Sequence, residues 1–291
     1  MSHRVRLAVA ATVCLFGALA PATAPAAAPA APVEAATLAA RLERVEAIAE
    51  IQNVMSRHAW YYAAGQHRRE LEEVWARKAP DICWGSDEGW WVGGPLLQDY
   101  YVDYFDRFRA RDLHAFIKQH PEVANTPDNY GAGTSMMHTN STPVIEVAGD
   151  GRTAKGMWYS IGQVTQTPGG QQTPTYMWER YAVDFIKEDG HWKIWHFFVH
   201  TDWSAAPGES WVRSGPPGGG PGGPGGPGAQ GGPPPFPGGG QAGESAEAPR
   251  PTIRGAGMAA GKPFAPPSEY PRVPVPYQTF SETFTYGPPA K

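Results

Sequence analysis

The sequence predicts an α+β domain, with helices laid on one face of a curved antiparallel sheet. Three observations predict it. Helical periodicity fills the first half of the middle region, strand-like alternation fills the second half, and a tight-turn signal joins the last two strands. The strand-like runs are Met136–Val147, Thr153–Thr167 and Thr175–Trp203. The last breaks at Glu188-Asp189-Gly190, between two alternating arms, and so reads as a β-hairpin.

Composition sets the limits. Of 291 residues, the start and a long tail are non-globular in character. One ordinary domain of roughly 170 residues remains. A formal charge of −4 gives no basic footprint, so nucleic acid is not an expected partner. Met1–Ala20 reads as a secretory leader: Arg4 and Arg6 precede the apolar run Leu7–Ala20, and Ala-x-Ala sites follow at Ala20-Pro21-Ala22 and Ala22-Thr23-Ala24. The run is too short for a transmembrane span, and an Ala/Pro stretch continues to about Pro32. The expected destination is therefore the periplasm or the exterior. Cleavage would leave Cys83 as the sole cysteine, so no intrachain disulfide is expected.

In the domain, expected over residues 36–205, Leu38–Ala64 reads as the first helix. Ile51, Met55, His58 and Tyr62 share one face, and Gly65 stops it. Arg68–Ala79 reads as a second helix with Leu71 and Trp75 on one side. Short strands Asp81–Gly85 and Trp90–Gly93 flank the acidic turn Ser86-Asp87-Glu88-Gly89. Pro95 opens a third helix running to about Gln119, and Asn125–Thr134 reads as a loop beside a pocket. In the last strand, alternation puts Trp192, Ile194, His196, Phe198, His200 and Asp202 on one face. Lys193, Trp195, Phe197, Val199 and Thr201 take the other.

The tail divides in two. A Gly/Pro-rich segment, expected over 214–262, cannot bury a core and reads as a disordered linker. Residues 263–291 interleave Phe264, Tyr270, Val273, Tyr277, Phe280, Phe284 and Tyr286 with prolines. They read as an extended strap on the domain or on a neighbouring subunit. The alternative is a disordered tail with aromatic stickers.

His138 opening a long strand, the turn Gly149-Asp150-Gly151-Arg152-Thr153-Ala154, and Asp189-Gly190-His191-Trp192-Lys193-Ile194 opening the last strand arrive in a particular order. In that order the chain resembles the SnoaL-like branch of the nuclear transport factor 2-like superfamily over about Ala39–Trp203. The resemblance implies a cystatin-like cone: a curved sheet wrapped with the helices around a deep pocket. It also implies a homodimer through the outer sheet face, for which Trp195, Phe197 and Val199 are the expected contacts. Polyketide cyclases, dehydratases, isomerases and binders share this fold, so function rests on the site. Dehydratase and isomerase members use a tyrosine and an aspartate near the end of the first helix. Here Tyr61 and Tyr62 are present, but Ala63-Ala64-Gly65 supplies no carboxylate. Asp87, Glu88, Glu179 and Asp202 are the candidates to replace it.

Four residues are candidates for chemistry. His138, in Met136-Met137-His138-Thr139-Asn140, has a side chain that exchanges a proton near neutral pH, with Asn140 beside it to orient an oxygen. The competing role is a structural histidine tied to a backbone carbonyl. His196 is the expected second proton carrier, with His200 and Asp202 further along the same face. Tyr62 is the candidate to polarise a carbonyl, and His58 beside it is weighed as a pocket wall or plain core. Trp84, Trp90, Trp91, Tyr159, Trp178, Tyr181 and Phe198 supply flat surfaces for an aromatic ligand, or ordinary core. With no His-x-His or His-Glu-x-x-His motif a metal site is disfavoured, and no cofactor is expected. No nucleophile elbow, phosphate loop or Rossmann fingerprint occurs.

The sequence thus points to an exported, cofactor-independent lyase or isomerase using general acid–base catalysis. Its expected substrate is a bulky, aromatic, oxygenated small molecule, such as a polyketide or a lignin-derived diaryl compound. The rival is a binding module of the same fold that sequesters a hydrophobic ligand or docks a partner. A third reading makes the tail a matrix tether.

Overall fold

The computed structural model describes residues 35–166, 173–205, 207, 249–254 and 270–289. The expected leader lies outside them, as do 263–269 and most of the expected linker.

Helix α1 (Ala35–Ala63) buries Ile51, Val54, Met55 and His58 and turns Gln52, Asn53, Ser56 and Arg57 to solvent. That is the one-sided pattern of an amphipathic helix. Helix α2 (His67–Glu73) is shorter than expected. Past Glu73 the backbone finds a sheet partner instead: Trp75 bridges Ile194, and the Ala76 N–H donates to the Ile194 carbonyl at 2.7 Å. Strands β1 (Cys83–Ser86) and β2 (Gly89–Val92) form a hairpin closed at Ser86 and Gly89. The expected third helix is composite. A short α3 (Gly94–Leu97) runs into a π-helical segment, Gln98–Tyr104, and then α4 (Phe105–Phe116). The π segment buries the adjacent Tyr100, Tyr101 and Val102 together.

The sheet follows: β3 (Ser135–His138), β4 (Ser141–Val147), β5 (Thr153–Gln166), β6 (Thr173–Glu188), β7 (His191–Ala205) and a two-residue β8 (Ile253–Arg254). Strand order is β3-β5-β6-β7-β1-β2-β8, with β4 also on β5. All pairs are antiparallel except β1 with β7. Met136–Val147, expected as one strand, is two. Thr142 takes a left-handed φ of 49° and Pro143 has no N–H to donate, so the ladder shifts between Ser141 and Val144. The β6–β7 turn has positive φ at Asp189 (51°) and Gly190 (83°), which is why Asp-Gly stands there.

Strict alternation fails in β7. Asp184 pairs with His196 but the next residue, Phe185, pairs with Ile194, so Trp195 is an extra residue in a β-bulge. Before it, Trp192 and Ile194 face the core; after it, Phe197 and Val199 do. His196, Phe198 and His200 are thereby moved to the outer face, correcting the assignment from period two. The expected dimer contacts are corrected with them: Phe197 and Val199 point inward, and Trp195 lies on Phe280, 4.6 Å between ring centroids.

Part of the outer face, around Lys155, Asp184, His196 and Phe198, is covered by the chain's own residues 270–289. The carbonyls of Tyr277 and Gln278 accept from the N–H groups of Gly149 and Asp150. A Cβ at Gly149 would meet the amide end of the Gln278 side chain, which would have to swing aside. Beneath the strap, Lys155 and Asp184 are wholly buried and paired at 2.6 Å. The Lys155 ammonium is ringed by Tyr277, Phe280, Phe284 and Tyr286, at 4.5–5.8 Å from their centroids. Cys83 is buried nearby with a free thiol.

Candidate active site

The inner face of the sheet, α1 and the π segment line a small pocket. α1 supplies His58 and Tyr62, β1 supplies Trp84, and the π segment supplies Tyr101. His138, Glu179 and Tyr181 come from β3 and β6, and Phe197 and Val199 from β7. The space in and around the pocket is about 340 Å³ with the mouth and open solvent counted, and the enclosed part is far smaller.

His138 is the centre of the polar wall. Its Nδ1 lies 3.2 Å from Glu179 Oε2, 3.0 Å from the Tyr181 hydroxyl and 3.4 Å from Ser160 Oγ. With the ring proton on Nδ1, it would face Glu179, and Nε2 would be the basic atom. It is buried and has no hydrogen-bond partner. Glu179 also accepts from Thr201 Oγ1 at 3.3 Å. Tyr181 is pushed well above the ordinary phenol range, first by burial and then by the nearby charge of Glu179. Tyr62 is raised too, mainly by burial, so its hydroxyl stays protonated and can donate. Behind Tyr62, the buried Arg109 donates Nη2–H to the Tyr62 carbonyl at 3.2 Å and Nη1–H to Thr134 Oγ1 at 2.7 Å. His67, packed between Tyr62 and Phe105, is held well below its usual value by burial and is neutral.

Of the residues singled out from sequence, the structure brings His58, Tyr62, Trp84, His138 and Tyr181 to this pocket. Others lie elsewhere. Asn140 turns its amide to α1 and donates to the Met55 carbonyl at 2.9 Å. His196 is on the outer face, 2.9 Å from Asp184 Oδ2, so it is not a second proton carrier here. His200 pairs with Asp87 at 2.7 Å, and Phe198 stacks on Trp90, both on the outer face. Tyr159 and Trp178 pack on each other, 6.1 Å apart. Trp91 is inside but is core, stacked on Tyr100 at 4.0 Å. Among the proposed carboxylates, Glu179 is the one beside the histidine; Asp202 is taken up by Arg180 at 2.6 Å. Glu70, whose Oε1 lies 2.7 Å from His58 Nδ1, was not anticipated. Nothing in a polar helical stretch marks the one glutamate that turns inward, and only its spacing from His58 hints at a meeting.

The SnoaL-like domain family matches residues 43–197. The chain belongs to this family. Among solved structures, this SnoaL-like chain is similar to hexachlorocyclohexane dehydrochlorinase LinA-type3 from Novosphingobium barchaimii: 15% identity, TM-score 0.42, covering 60% of this chain and 99% of that one. It is also similar to an NTF2-like protein with a cystatin-like fold from Novosphingobium aromaticivorans: 16% identity, TM-score 0.37, covering 58% and 90%. A protein of unknown function from Mycobacterium tuberculosis gives 20% identity and a TM-score of 0.37, covering 55% and 73%. No curated protein sequence matches. Among the described residues, no group of three or more His, Cys, Asp or Glu side chains is arranged to hold a metal ion. No helix among them is long and apolar enough to cross a membrane.

Proposed function

We propose that this chain is an exported lyase or isomerase that acts by proton transfer without a bound cofactor. One observation carries the reading: His138 has Nδ1 engaged by a buried carboxylate and Nε2 buried, unpartnered and on the wall of an aromatic pocket. A histidine fixed in one tautomer, with its basic nitrogen free, is set up as a general base. Glu179 orients the ring and stabilises the imidazolium that forms when Nε2 takes a proton. Glu179 comes from β6, which offsets the missing carboxylate at the end of α1. Tyr62 supplies the hydroxyl that donates to an oxygen gaining negative charge. The leader supports export.

The test is exchange of the α-protons of acetophenone in deuterated water, followed by NMR. The intact protein accelerates exchange. His138→Gln slows it by about 10²–10⁴-fold, the span of general-base catalysis, while acetophenone still binds. Exchange unchanged in His138→Gln removes the base assignment and returns the pocket to the binding-module reading.

A further inference from the structure

The N-terminal end of α1 stands clear of the domain. From residue 37 to 46 no side chain is buried, and the first that is buried is Ala47. That stretch is about 15 Å of helix. Arg44, half-buried, ties it back by donating to Glu146 Oε2 and to the Val147 carbonyl, each at 2.6 Å. A helical end this short is marginal on its own hydrogen bonds and is stabilised mainly by packing one face against something.

The face that could pack is apolar. Leu38, Leu42 and Val45 are 59%, 56% and 62% exposed, and the exposed Ala49 follows on the same side. Scattered exposed hydrophobes are ordinary, but a row of them marks an interaction surface. Their spacings of four, three and four are those of the d, a, d and a positions of a coiled-coil seam. At 3.6 residues per turn the seam centres roughly 150° round the helix from the side that carries Ala47, Ile51 and His58 into the domain. A second helix laid on the seam therefore clears the domain body. Gln52 and Ser56, next along that side, are polar, so the apolar seam ends where the domain begins.

Charge decides what lies there. With Leu42 at a, Arg41 takes position g and Glu46 position e, and both are exposed. In a parallel pair each g residue faces the e residue five places on in the other helix, so Arg41 meets Glu46 of a second copy, and the reverse. Antiparallel helices set g against g and e against e, which loses both contacts. Glu43 and Glu46 beside the seam also oppose an anionic lipid surface, which favours polar faces rich in lysine and arginine.

We propose that the start of α1 is a self-association helix. Leu38, Leu42, Val45 and Ala49 pack on the same residues of a second copy, parallel and in register, with the two Arg41–Glu46 pairs fixing orientation. The seam is short, so the dimer is weak and reversible. It is separate from the outer sheet face that the strap covers.

The test is sedimentation velocity on the intact protein over a range of concentrations. A monomer–dimer equilibrium is expected. Leu42→Asp weakens it at least about 10-fold, because each dimer loses two buried leucines; Glu43→Gln, off the seam, leaves it unchanged. Arg41→Glu and Glu46→Arg each weaken it by about two- to fivefold per ion pair. An equimolar mixture of those two variants associates more tightly than either alone, and the double variant recovers the original equilibrium. The positions are exposed, so unchanged circular dichroism is expected throughout. A monomer at every concentration up to about 1 mM, or a dimer indifferent to Leu42→Asp, overturns the proposal. Charge variants whose mixture and double variant gain nothing overturn the parallel register. Monomer that instead binds phosphatidylglycerol vesicles, and loses this with Leu42→Asp, assigns the seam to a lipid surface and overturns self-association.

Discussion

Tyr62 and Tyr61 are neighbours on α1 with different fates. Tyr62 turns into the pocket, and burial keeps its hydroxyl protonated. Tyr61 bonds Glu73 at the surface. Tyr62→Phe is therefore expected to lower turnover by about 10²–10³-fold, the loss of one donor to a developing oxyanion. Tyr61→Phe leaves it unchanged; steady-state kinetics on the two variants separate them. Glu179→Gln keeps the shape but removes the carboxylate 3.2 Å from His138 Nδ1, and is expected to lower kcat without a comparable rise in KM. At this scale the sequence was informative where residue type limits role. A histidine among thioethers, and a histidine and tyrosine on one helix face, reached the pocket. Aromatic residues were a poor guide. Tryptophan packs equally well in a core, a pocket or a covered outer face, and Trp90, Trp91 and Trp178 took the roles outside the pocket.

Elements, unlike residues, have a register that a single extra position can reset. Trp195 does this in β7. Deleting it would restore strict alternation and send Phe197 and Val199 outward and His196 and Phe198 into the core. The expected outcome is loss of cooperative folding by circular dichroism. Trp195→Ala keeps the bulge and loses only the ring contact with Phe280. The strap is the second element whose behaviour can be measured. Asp184 Oδ2 accepts from His196 at 2.9 Å, from Thr285 Oγ1 at 2.9 Å and from the Tyr286 N–H at 2.7 Å. Burial works to raise the Asp184 carboxyl, but His196 and Lys155 outweigh it and hold it below the usual range. Burial works to lower His196, and Asp184 with Asp81 raise it. Asp81 in turn is held near 2, first by its bond to His196. Lys155 is pushed below its ordinary value, chiefly by burial.

The signs follow. The Asp184 contribution is present above its unfolded value and is lost as pH falls through the depressed folded one. The His196 contribution is complete below its unfolded value and is lost as pH rises through the raised folded one. Strap docking is thus strongest between those limits, read as protection of the Tyr286 amide from hydrogen exchange. Asp184→Asn would leave Lys155 buried without its anion, at a cost of about 3–5 kcal/mol.

For the whole molecule, the strap changes what the sheet can meet. Lys155, Ala182, His196 and Phe198 are buried beneath or beside it. Truncation before residue 270 would expose a surface that is both apolar and charged. We expect a lower Tm and concentration-dependent self-association in analytical ultracentrifugation, against a full chain whose outer face is already occupied there. Fold class, element order and the Asp-Gly hairpin were legible from sequence because each is local: periodicity, capping and turn chemistry are written within a few residues. The pocket histidine and tyrosine were legible for the same reason. The Trp195 bulge, the pairing of Glu179 with His138 and of Glu70 with His58, and the aromatic ring around Lys155 were decided only by tertiary structure. Each joins residues distant in the chain, and the free energy that selects it comes from burying charge and apolar surface together, which no local pattern records.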